Sequence, residues 1–434
     1  MLSRRAQEQV PSSASNEMWD VMKEPWDRHE NAEGFVNLGV AENRLMQREL
    51  QGFLTEHWSA RDSMLTYQDG PLGSQRVRRA LARFLGRELK TYRPLSASQI
   101  IVTNGVSSAL EHAAWALADA GEAFLLGRPY YGRITLHLRP GVQTVPVTFD
   151  QVDPMGLAAV DCYEQALLGA RAQGIVVRGL FLCSPHNPLG RCYPRHVLVA
   201  LVALCDKYQM HVLSDEIYAL SVWRVPAFTS VLSLPLENLI DPALVHVLWG
   251  VSKDFGANGW RLGCLISPAN EDLRTAVASV AIGSYASSLT DHVVAQMLED
   301  DAFTASYLAE NQRRLANAYA RTTDFLQRHG IPFMPCTHAA LFVWADLGTA
   351  YRRRHPQSAA GRQEAVDDIK RALLEHKVYL AWGGNFDSES PDLFRLTFAH
   401  PADYVDEGLR RIDQALNSGS IQGPRRQTLG CPRL

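Results

Sequence analysis

The stretches SKDFG at residues 252–256 and GWRLG at residues 259–263 are the most informative part of the chain. They place Lys253 directly after a serine, and Arg261 follows eight positions later. A lysine amine condenses with an aldehyde when its pKa is low enough for the free amine to exist. A serine hydroxyl and an arginine fork are typical ligands of a phosphate dianion. These residues therefore predict a site for a small molecule that carries both an aldehyde and a phosphate.

Pyridoxal 5′-phosphate (PLP) is such a molecule, and three upstream side chains fit its ring. Asp215 follows the apolar run 210–213, which is typical of a buried parallel strand. Open α/β sheets bind ligands at the carboxyl ends of such strands, where a carboxylate can pair with the pyridine nitrogen. Tyr218 and Asn187 offer a hydroxyl and an amide to the phenolic oxygen. Taken alone, the Asn-Pro-Leu-Gly string at 187–190 is more simply interpreted as a plain turn.

Two further segments extend this predicted site, one beside the phosphate of PLP and one beside its ring. Residues 100–103 predict a strand, after which a helix opens near Val106 and Ser107. Backbone N–H groups at a helix N-terminus bind anions, although many strand–helix junctions bind nothing. Tyr131 follows a predicted strand at 123–126, and its ring can stack on a pyridine or simply pack in the core.

The order of these motifs resembles the fold-type I, class I/II aminotransferase superfamily. Within it, GVAEN at 39–43, YQD at 67–69 and FRLTFA at 394–399 are similar to the branch of 1-aminocyclopropane-1-carboxylate (ACC) synthase-like proteins. The likeness runs from about Asn37 to His400 and so covers nearly the whole predicted globular part. It implies PLP as the cofactor.

The resemblance also implies a role for each matching residue. Lys253 is then the catalytic Schiff-base lysine. The cofactor-binding residues are Val106, Ser107, Tyr131, Asn187, Asp215, Tyr218, Ser252 and Arg261. Arg395 is expected to clamp the α-carboxylate of the substrate with a bidentate fork, although an arginine in an alternating segment is by default an exposed strand residue. Glu42 and Tyr67 are the other substrate-binding candidates, and residues 381–386 are expected to approach the substrate.

The chain departs from the family pattern at two places. Gly250 stands where the family usually has a second phosphate-binding serine. ACC synthases carry a tyrosine shortly after Gln-Asp, near the cofactor of the neighbouring subunit, but here Gly-Pro-Leu occupies residues 70–72. Tyr67 is the candidate replacement. This loop is where we expect substrate specificity to have diverged.

The predicted fold is a three-layer α/β fold-type I PLP enzyme, with a mainly parallel seven-stranded sheet in a large domain and a smaller α+β domain. Short apolar segments near residues 100, 123, 143, 177, 210, 244 and 263 alternate with helical stretches, which favours a parallel sheet. The predicted parts are a flexible N-terminus at 1–17, a segment packing on the small domain at 18–66, a large PLP-binding domain at 67–305, a small C-terminal domain at 306–416 and a disordered tail at 417–434.

Composition excludes several classes of partner for this chain of 434 residues. A formal charge of −3 gives no electrostatic case for nucleic acid or an anionic membrane. No uncharged apolar run approaches the ~20 residues of a membrane-spanning helix. The seven cysteines are scattered without paired metal spacing, so no metal is expected. Their odd number and the missing signal peptide favour the cytoplasm. A C-terminal Pro-Arg-Leu loosely resembles a peroxisomal signal and gives a weaker alternative.

The implied chemistry begins with removal of the α-proton of an amino-acid-like substrate by Lys253, while the ring takes up the electrons. We expect a carbon–sulfur lyase, because ACC synthase expels a thioether and fungal lyases of sulfur-bridged diketopiperazine pathways resemble the same branch. The alternative is a class I/II aminotransferase, and a third hypothesis is a non-catalytic binding protein. The resemblance further implies a homodimer with shared active sites, built from the loop 67–73 and the segment 285–288.

Overall fold

The computed structural model of the chain describes residues 2, 3, 7, 17–132, 141–356 and 361–418. The predicted flexible terminus at 1–17 and tail at 417–434 lie almost wholly outside these residues, as does the C-terminal Pro-Arg-Leu. None of the helices in the described ranges combines the length and the apolar character that crossing a bilayer requires.

Strands and helices alternate through most of the described chain. The strands are β1 Val36–Asn37, β2 Ile100–Asn104, β3 Ala123–Gly127, β4 Gln143–Val147, β5 Val177–Cys183, β6 His211–Asp215, β7 Val245–Gly250, β8 Leu262–Ile266, β9 Phe342–Asp346, β10 Val378–Tyr379, β11 Ala381–Trp382 and β12 Leu393–Thr397. The helices are α1 Glu17–Val21, α2 Gln47–His57, α3 Gln75–Glu88, α4 Gly105–Leu117, α5 Ala159–Ala172, α6 Arg195–Tyr208, α7 Val251–Asp254, α8 Glu271–Ala281, α9 Ser288–Glu299, α10 Asp301–Arg328, α11 Leu347–Arg354, α12 Arg362–Glu375 and α13 Ala402–Asn417. Short 3₁₀ helices include Asn258–Trp260 and Gly383–Phe386.

The large sheet has seven strands in the order β2-β8-β7-β6-β5-β3-β4. Strands β3 to β7 are parallel, whereas β8 runs antiparallel to both β2 and β7. The central strands are continuous apolar runs, as in β3, because helices cover both of their faces. The predicted mainly parallel seven-stranded sheet is thus confirmed.

Two layers of helices enclose this sheet. On one face, Leu110 and Ala113 of α4 and Val277 of α8 pack in one cluster with Leu248 and Leu265 of the sheet. On the other face, helices α3, α5 and α6 contribute to a larger apolar cluster with β5, β6 and β7. The three-layer α/β architecture that the sequence predicts is therefore present.

A second, smaller sheet forms from the C-terminal part of the chain in the order β11-β12-β9, with both pairs antiparallel. A separate apolar cluster joins it to α10, α11, α12 and α13. Strand β1 pairs in parallel with β10, so that Val36 lies opposite Val378 and the N-terminal segment packs beside the small sheet. The exact domain boundaries near residues 67, 306 and 416 stay predictions.

Candidate active site

The carboxyl ends of β5 and β6, the start of α4 and the loop after β11 surround one cavity of about 260 Å³. Among the residues predicted for the site, the structure brings ten to its wall: Val106, Ser107, Tyr131, Asn187, Asp215, Tyr218, Ser252, Lys253, Arg261 and Arg395. Parallel strands that end at the same edge bring together side chains that are far apart in sequence. Glu42 and Tyr67 lie outside this wall.

Lys253 lies on the short helix α7, directly after β7, and points its amine into the cavity. Its Nζ donates a hydrogen bond to the carbonyl oxygen of Ala41 at 2.5 Å. Burial, together with the positive charge of Arg395, lowers the pKa of Lys253 to about 8, although the charge of Glu42 opposes this shift. A substantial fraction of the amine is therefore uncharged near neutral pH, which is the form that attacks an aldehyde.

Asp215 is the last residue of β6 and lines the same cavity. One oxygen of its carboxylate accepts a hydrogen bond from the backbone N–H of Ile217 at 3.1 Å. Burial raises the pKa of Asp215 to about 7, although the Ile217 hydrogen bond and the charge of Lys253 oppose this. A cationic N–H beside this buried carboxylate would stabilise its charged form. The protonated pyridine nitrogen of PLP supplies such a group, so the residue fits the cofactor.

Arg395 lies in β12 and is buried, with 3% of its surface exposed, contrary to the default expectation for an alternating strand. Its two terminal nitrogens donate to the side-chain oxygen of Asn187 at 2.8 Å and to the carbonyl of Gly39 at 2.6 Å. Its guanidinium carbon lies 5.0 Å from the ring centroids of both Phe342 and Phe386. The Nε of Arg395 has no hydrogen-bond partner within the described residues. This buried fork is suited to a carboxylate ligand.

The phosphate end of the cavity lies where α4 begins against β8. A methyl group on Gly263 would lie only 2.5 Å from the backbone nitrogen of Val106, so only glycine permits this approach. Arg261 precedes β8 with a positive φ of 53°, and its guanidinium donates to the carbonyl of Asn258 at 2.9 Å. The N-terminal turn of α4, Ser252 and this arginine all line this end of the cavity, and such an arrangement is suited to an anion.

Gly250 occupies the position where the family usually has a serine. A Cβ atom placed on this glycine would lie 2.8 Å from the carbonyl oxygen of Leu262 and 3.1 Å from the side chain of Val106. A serine therefore requires β7, β8 and α4 to separate slightly. Glycine at position 250 thus permits the close packing of these three elements in this chain.

Glu42 and Tyr67 are placed differently from the other predicted residues. Glu42 lies close enough to Lys253 for its charge to raise the pKa of the amine. Tyr67 is 80% exposed on its own chain. Beside it, the Gln68 side chain donates to the carbonyl of Ser288 at 3.0 Å, and the Ser288 hydroxyl donates to the carbonyl of Thr66 at 2.6 Å. The two segments predicted to face a neighbouring subunit are thus joined at the surface, and the role of Tyr67 stays a prediction.

The sequence did not predict several residues of the cavity wall. They are Met18, Tyr130, Tyr163, His186, Tyr193, Asn258 and Tyr379. Ala381, Asn385 and Phe386, from the segment 381–386 expected to approach the substrate, also line the cavity. Tyr130 could have been noticed beside Tyr131, but nothing local distinguishes Met18 in α1 or Tyr379 in β10. Cys183, which the sequence favours as a core thiol, is only half-buried and also faces the cavity.

Asp254, next to Lys253, is a fully buried carboxylate. The sequence motif did not predict that it connects two parts of the cavity wall. It accepts hydrogen bonds from the Ser221 hydroxyl at 2.7 Å, the Trp249 indole at 3.0 Å and the backbone N–H of Leu220 at 3.2 Å. Burial raises the pKa of Asp254 to about 7. These bonds tie the lysine-bearing helix α7 to the turn that follows Tyr218, so they fix two sides of the cavity relative to each other.

The family model for class I and II aminotransferases matches residues 33–412 of the chain. The chain belongs to this family. A Homo sapiens protein named 1-aminocyclopropane-1-carboxylate synthase-like protein 1 is 36% identical over 403 residues, covering 90% of this chain and 78% of that protein. The probable aminotransferase gliI of Aspergillus fumigatus is 33% identical over 397 residues, covering 88% of this chain and 89% of its own.

Solved structures of aspartate aminotransferases share the fold. The Thermus thermophilus enzyme, as a tetra mutant complexed with tryptophan, superposes with a TM-score of 0.73 at 21% identity and covers 96% of this chain and 99% of its own. The Thermotoga maritima enzyme superposes with a TM-score of 0.69 at 23% identity, and the match covers 96% of this chain and 100% of that enzyme. These comparisons confirm the fold-type I architecture that the resemblance implied.

This family membership makes the chain a PLP-dependent enzyme, of the ACC synthase-like branch. The residues present fit the cofactor: a buried amine of lowered pKa, a buried carboxylate for the ring nitrogen, and a glycine-bounded cradle for the phosphate. No group of three or more histidine, cysteine, aspartate or glutamate side chains within the described ranges is arranged to hold a metal ion.

Proposed function

We propose that this chain is a PLP-dependent carbon–sulfur lyase that removes the α-proton of an amino acid and eliminates a sulfur leaving group. The substrate class is a thioether, cysteine-conjugate or sulfonium amino acid. The observation that carries the proposal is the shared cavity of Lys253 and Arg395, one a base of lowered pKa and the other a buried carboxylate ligand. When bound, the cofactor supplies an electron sink for the carbon that loses its proton.

Each residue then has a defined task. Arg395 holds the α-carboxylate, and its contact with Asn187 fixes the guanidinium beside the ring position. Lys253, once its amine has released the cofactor aldehyde, accepts the proton from Cα. Because this amine is already largely desolvated, little reorganisation of water is needed for the transfer.

The wall beside Arg395 supports a soft, apolar side chain on the substrate. Phe386 and Phe342 flank the guanidinium, while Met18, Val40 and Tyr379 line the same cavity. Sulfur makes favourable contacts with aromatic rings at about 5 Å. A thioether therefore matches this surface better than a strongly hydrated side chain does.

Sequence similarity to relatives supports elimination as the reaction that follows proton removal. The chain is 31% identical over 404 residues to a Cucurbita pepo protein named 1-aminocyclopropane-1-carboxylate synthase 2. Transamination is the second candidate, because two fungal relatives, gliI of Aspergillus fumigatus and sirI of Leptosphaeria maculans, are named probable aminotransferases. The two reactions share proton removal and differ only in what the carbanion does next.

The deciding experiment incubates the holoprotein with S-alkyl cysteines, a glutathione-derived cysteine conjugate and a sulfonium amino acid, each with and without a 2-oxo acid. In β-elimination the Cα–H and Cβ–S bonds break, the thiol leaves, and the remaining 2-aminoacrylate hydrolyses to pyruvate and ammonia. For the cysteine derivatives, thiol and pyruvate released in equal amounts without a 2-oxo acid support the proposal. For the sulfonium amino acid, whose leaving group is a thioether, release of that thioether without a 2-oxo acid does so. Turnover that requires the 2-oxo acid and releases no thiol contradicts it.

Two variants separate the reaction from the binding step. Arg395→Lys keeps the charge but loses the planar fork, so KM should rise roughly 10- to 100-fold while the absorbance of bound PLP stays unchanged. Arg411→Lys is the matched control, because Arg411 is also buried but donates to the backbone carbonyls of Gly34 and Ala32 away from the cavity. An equal rise of KM in both variants would show that general destabilisation, and not carboxylate binding, is responsible.

A further inference from the structure

A pair of hydrogen bonds joins two chain segments at the mouth of the cavity. The carboxylate oxygen Oδ2 of Asp387 accepts from Nε of Arg128 at 2.8 Å and from the hydroxyl of Tyr130 at 2.9 Å. Arg128 also donates to the Thr148 hydroxyl at 3.2 Å, which orients its guanidinium from the other side. Asp387 follows the small-sheet strand β11, whereas Arg128 and Tyr130 follow β3 of the large sheet.

Backbone contacts run alongside these side-chain bonds. The N–H groups of Tyr130 and Gly132 donate to the carbonyls of Phe386 at 2.8 Å and Asn385 at 2.9 Å. A Cβ on Gly132 would lie 2.6 Å from the carbonyl oxygen of Asn385, so the absence of a side chain permits this approach. Four hydrogen bonds therefore hold segment 128–132 against segment 385–387.

Both segments carry parts of the site. Tyr131, predicted to stack on the cofactor ring, lies between the two residues whose N–H groups are held. Phe386 is fully buried, contacts Trp344 edge-to-face at 5.2 Å, and lies 5.0 Å from the guanidinium carbon of Arg395. The contact between the segments thus sets the distance between the cofactor wall and the carboxylate-binding wall.

We infer that Asp387 is a positioning residue, whose carboxylate latches segment 128–132 to segment 385–387 and thereby fixes Tyr131 relative to Phe386 and Arg395. We call Asp387, Arg128 and Tyr130 the Asp387 latch. Hydrogen bonds to a charged acceptor are stronger than neutral ones, and partial burial of the three side chains limits competition from water. The latch acts before any choice between elimination and transamination, so its role is independent of the proposed reaction.

The phenol of Tyr130 is suited to act as a permanent donor. Burial and the hydrogen bond to Asp387 raise the pKa of Tyr130 to about 12, so the hydroxyl keeps its proton throughout the neutral range. The Tyr130 donor of the latch is therefore present throughout the neutral range.

The test compares wild type with Asp387→Ala, Asp387→Asn and Tyr130→Phe. Hydrogen–deuterium exchange of the apoprotein should show faster exchange of the Tyr130 and Gly132 amides in Asp387→Ala. In the holoprotein, the dissociation constant of PLP and the KM of the amino-acid substrate should each rise roughly three- to tenfold, with a smaller change in kcat. The exchange measurement needs no turnover, so it distinguishes a failed latch from a failed assignment of the reaction.

The matched control is Asp406→Asn, which removes another half-exposed carboxylate paired with an arginine, Arg321, on helices remote from the cavity. Arg128→Gln should give a smaller effect of the same kind, because the Tyr130 hydrogen bond to Asp387 remains. The double variant should be no worse than Asp387→Ala, which already removes both bonds. Unchanged exchange at Tyr130 and Gly132 in Asp387→Ala would overturn the inference. Equal effects of Asp406→Asn on KM would do the same.

Discussion

Lys253 has a charge state that is set jointly by its neighbours, which makes it the most informative single residue of the site. Burial and the guanidinium of Arg395 together lower its pKa to about 8, and the charge of Glu42 opposes both effects. The lysine motif alone predicts an amine at this position but not its pKa. That value depends on groups more than a hundred residues away in either direction.

This balance gives a pH prediction for the capture of PLP by the apoprotein. Because only the free amine attacks the aldehyde, the capture rate should rise about tenfold for each pH unit up to about pH 8 and level off above it. Glu42→Gln removes a charge that raises the pKa of Lys253, so the midpoint should move to lower pH. Stopped-flow absorbance of the bound cofactor measures both profiles.

Glu164→Gln is the control for that experiment, because Glu164 is a surface carboxylate paired with Lys207 outside the cavity. The Glu164→Gln variant should capture PLP with the same midpoint pH as the wild type. A midpoint that stays fixed or moves upward in Glu42→Gln would contradict the predicted role of Glu42.

At the scale of elements, the site depends on how closely β8 approaches the first turn of α4. Gly263 permits this approach, because a Cβ there would lie 2.5 Å from the nitrogen of Val106 and 2.6 Å from the carbonyl carbon of Gly105. Backbone N–H groups at this turn are the expected donors beside Ser252 and Arg261, and packing sets the position of these N–H groups.

Gly263→Ala should therefore push the start of α4 away from β8 and weaken PLP binding. Overpacking of this kind costs about 1–3 kcal/mol, which corresponds to a rise in the PLP dissociation constant of roughly tenfold or more. Equilibrium titration of the apoprotein, followed by fluorescence, measures the change. Gly169→Ala on α5 is the control, since nothing lies within 4 Å of the added methyl group. Equal affinities for the two variants would refute the cradle.

At the scale of the whole molecule, several large apolar side chains are exposed on the chain, some of them near the loop 67–73. Leu65, Tyr67 and Ile282 are 88%, 80% and 70% exposed, and Trp58 and Leu289 are about half exposed. Contiguous exposed apolar residues mark interaction sites on soluble domains. A second copy of the chain is the partner that the family resemblance implies.

We expect a homodimer in which each Tyr67 serves the neighbouring cavity. Mixing the inactive variants Lys253→Ala and Tyr67→Ala should restore activity, because one of the two hybrid sites then combines an intact lysine with an intact tyrosine. Sedimentation should show a dimer at working concentration. A mixture of Lys253→Ala with Arg395→Ala serves as the control. Both residues line the cavity of one chain, so each hybrid site lacks one of them and no activity should return. A fully active monomer would contradict shared sites.

The central sheet was predictable because its strands are short apolar runs separated by helical stretches, a pattern that depends on neighbours in sequence. The order of the strands was not predictable, because β8 lies between β2 and β7 through long-range pairing. Lys253, Asp215 and Asn187 could be identified because they follow strands and belong to dense motifs. Met18 and Tyr379 could not be identified, because no local motif marks them and residues of this kind more often pack in a core.

The sequence by itself determined the chemistry of the cofactor site, since residues such as Lys253 and Arg261 stand in compact motifs whose residue types match an aldehyde and a phosphate. The tertiary structure alone decided that Arg395 is buried and that Asp387 binds Arg128, 259 positions earlier. Local patterns encode strands, turns and reactive groups, because these depend on residues a few positions apart. Contacts between the two sheets depend on how whole elements pack, and no short stretch of sequence contains that information.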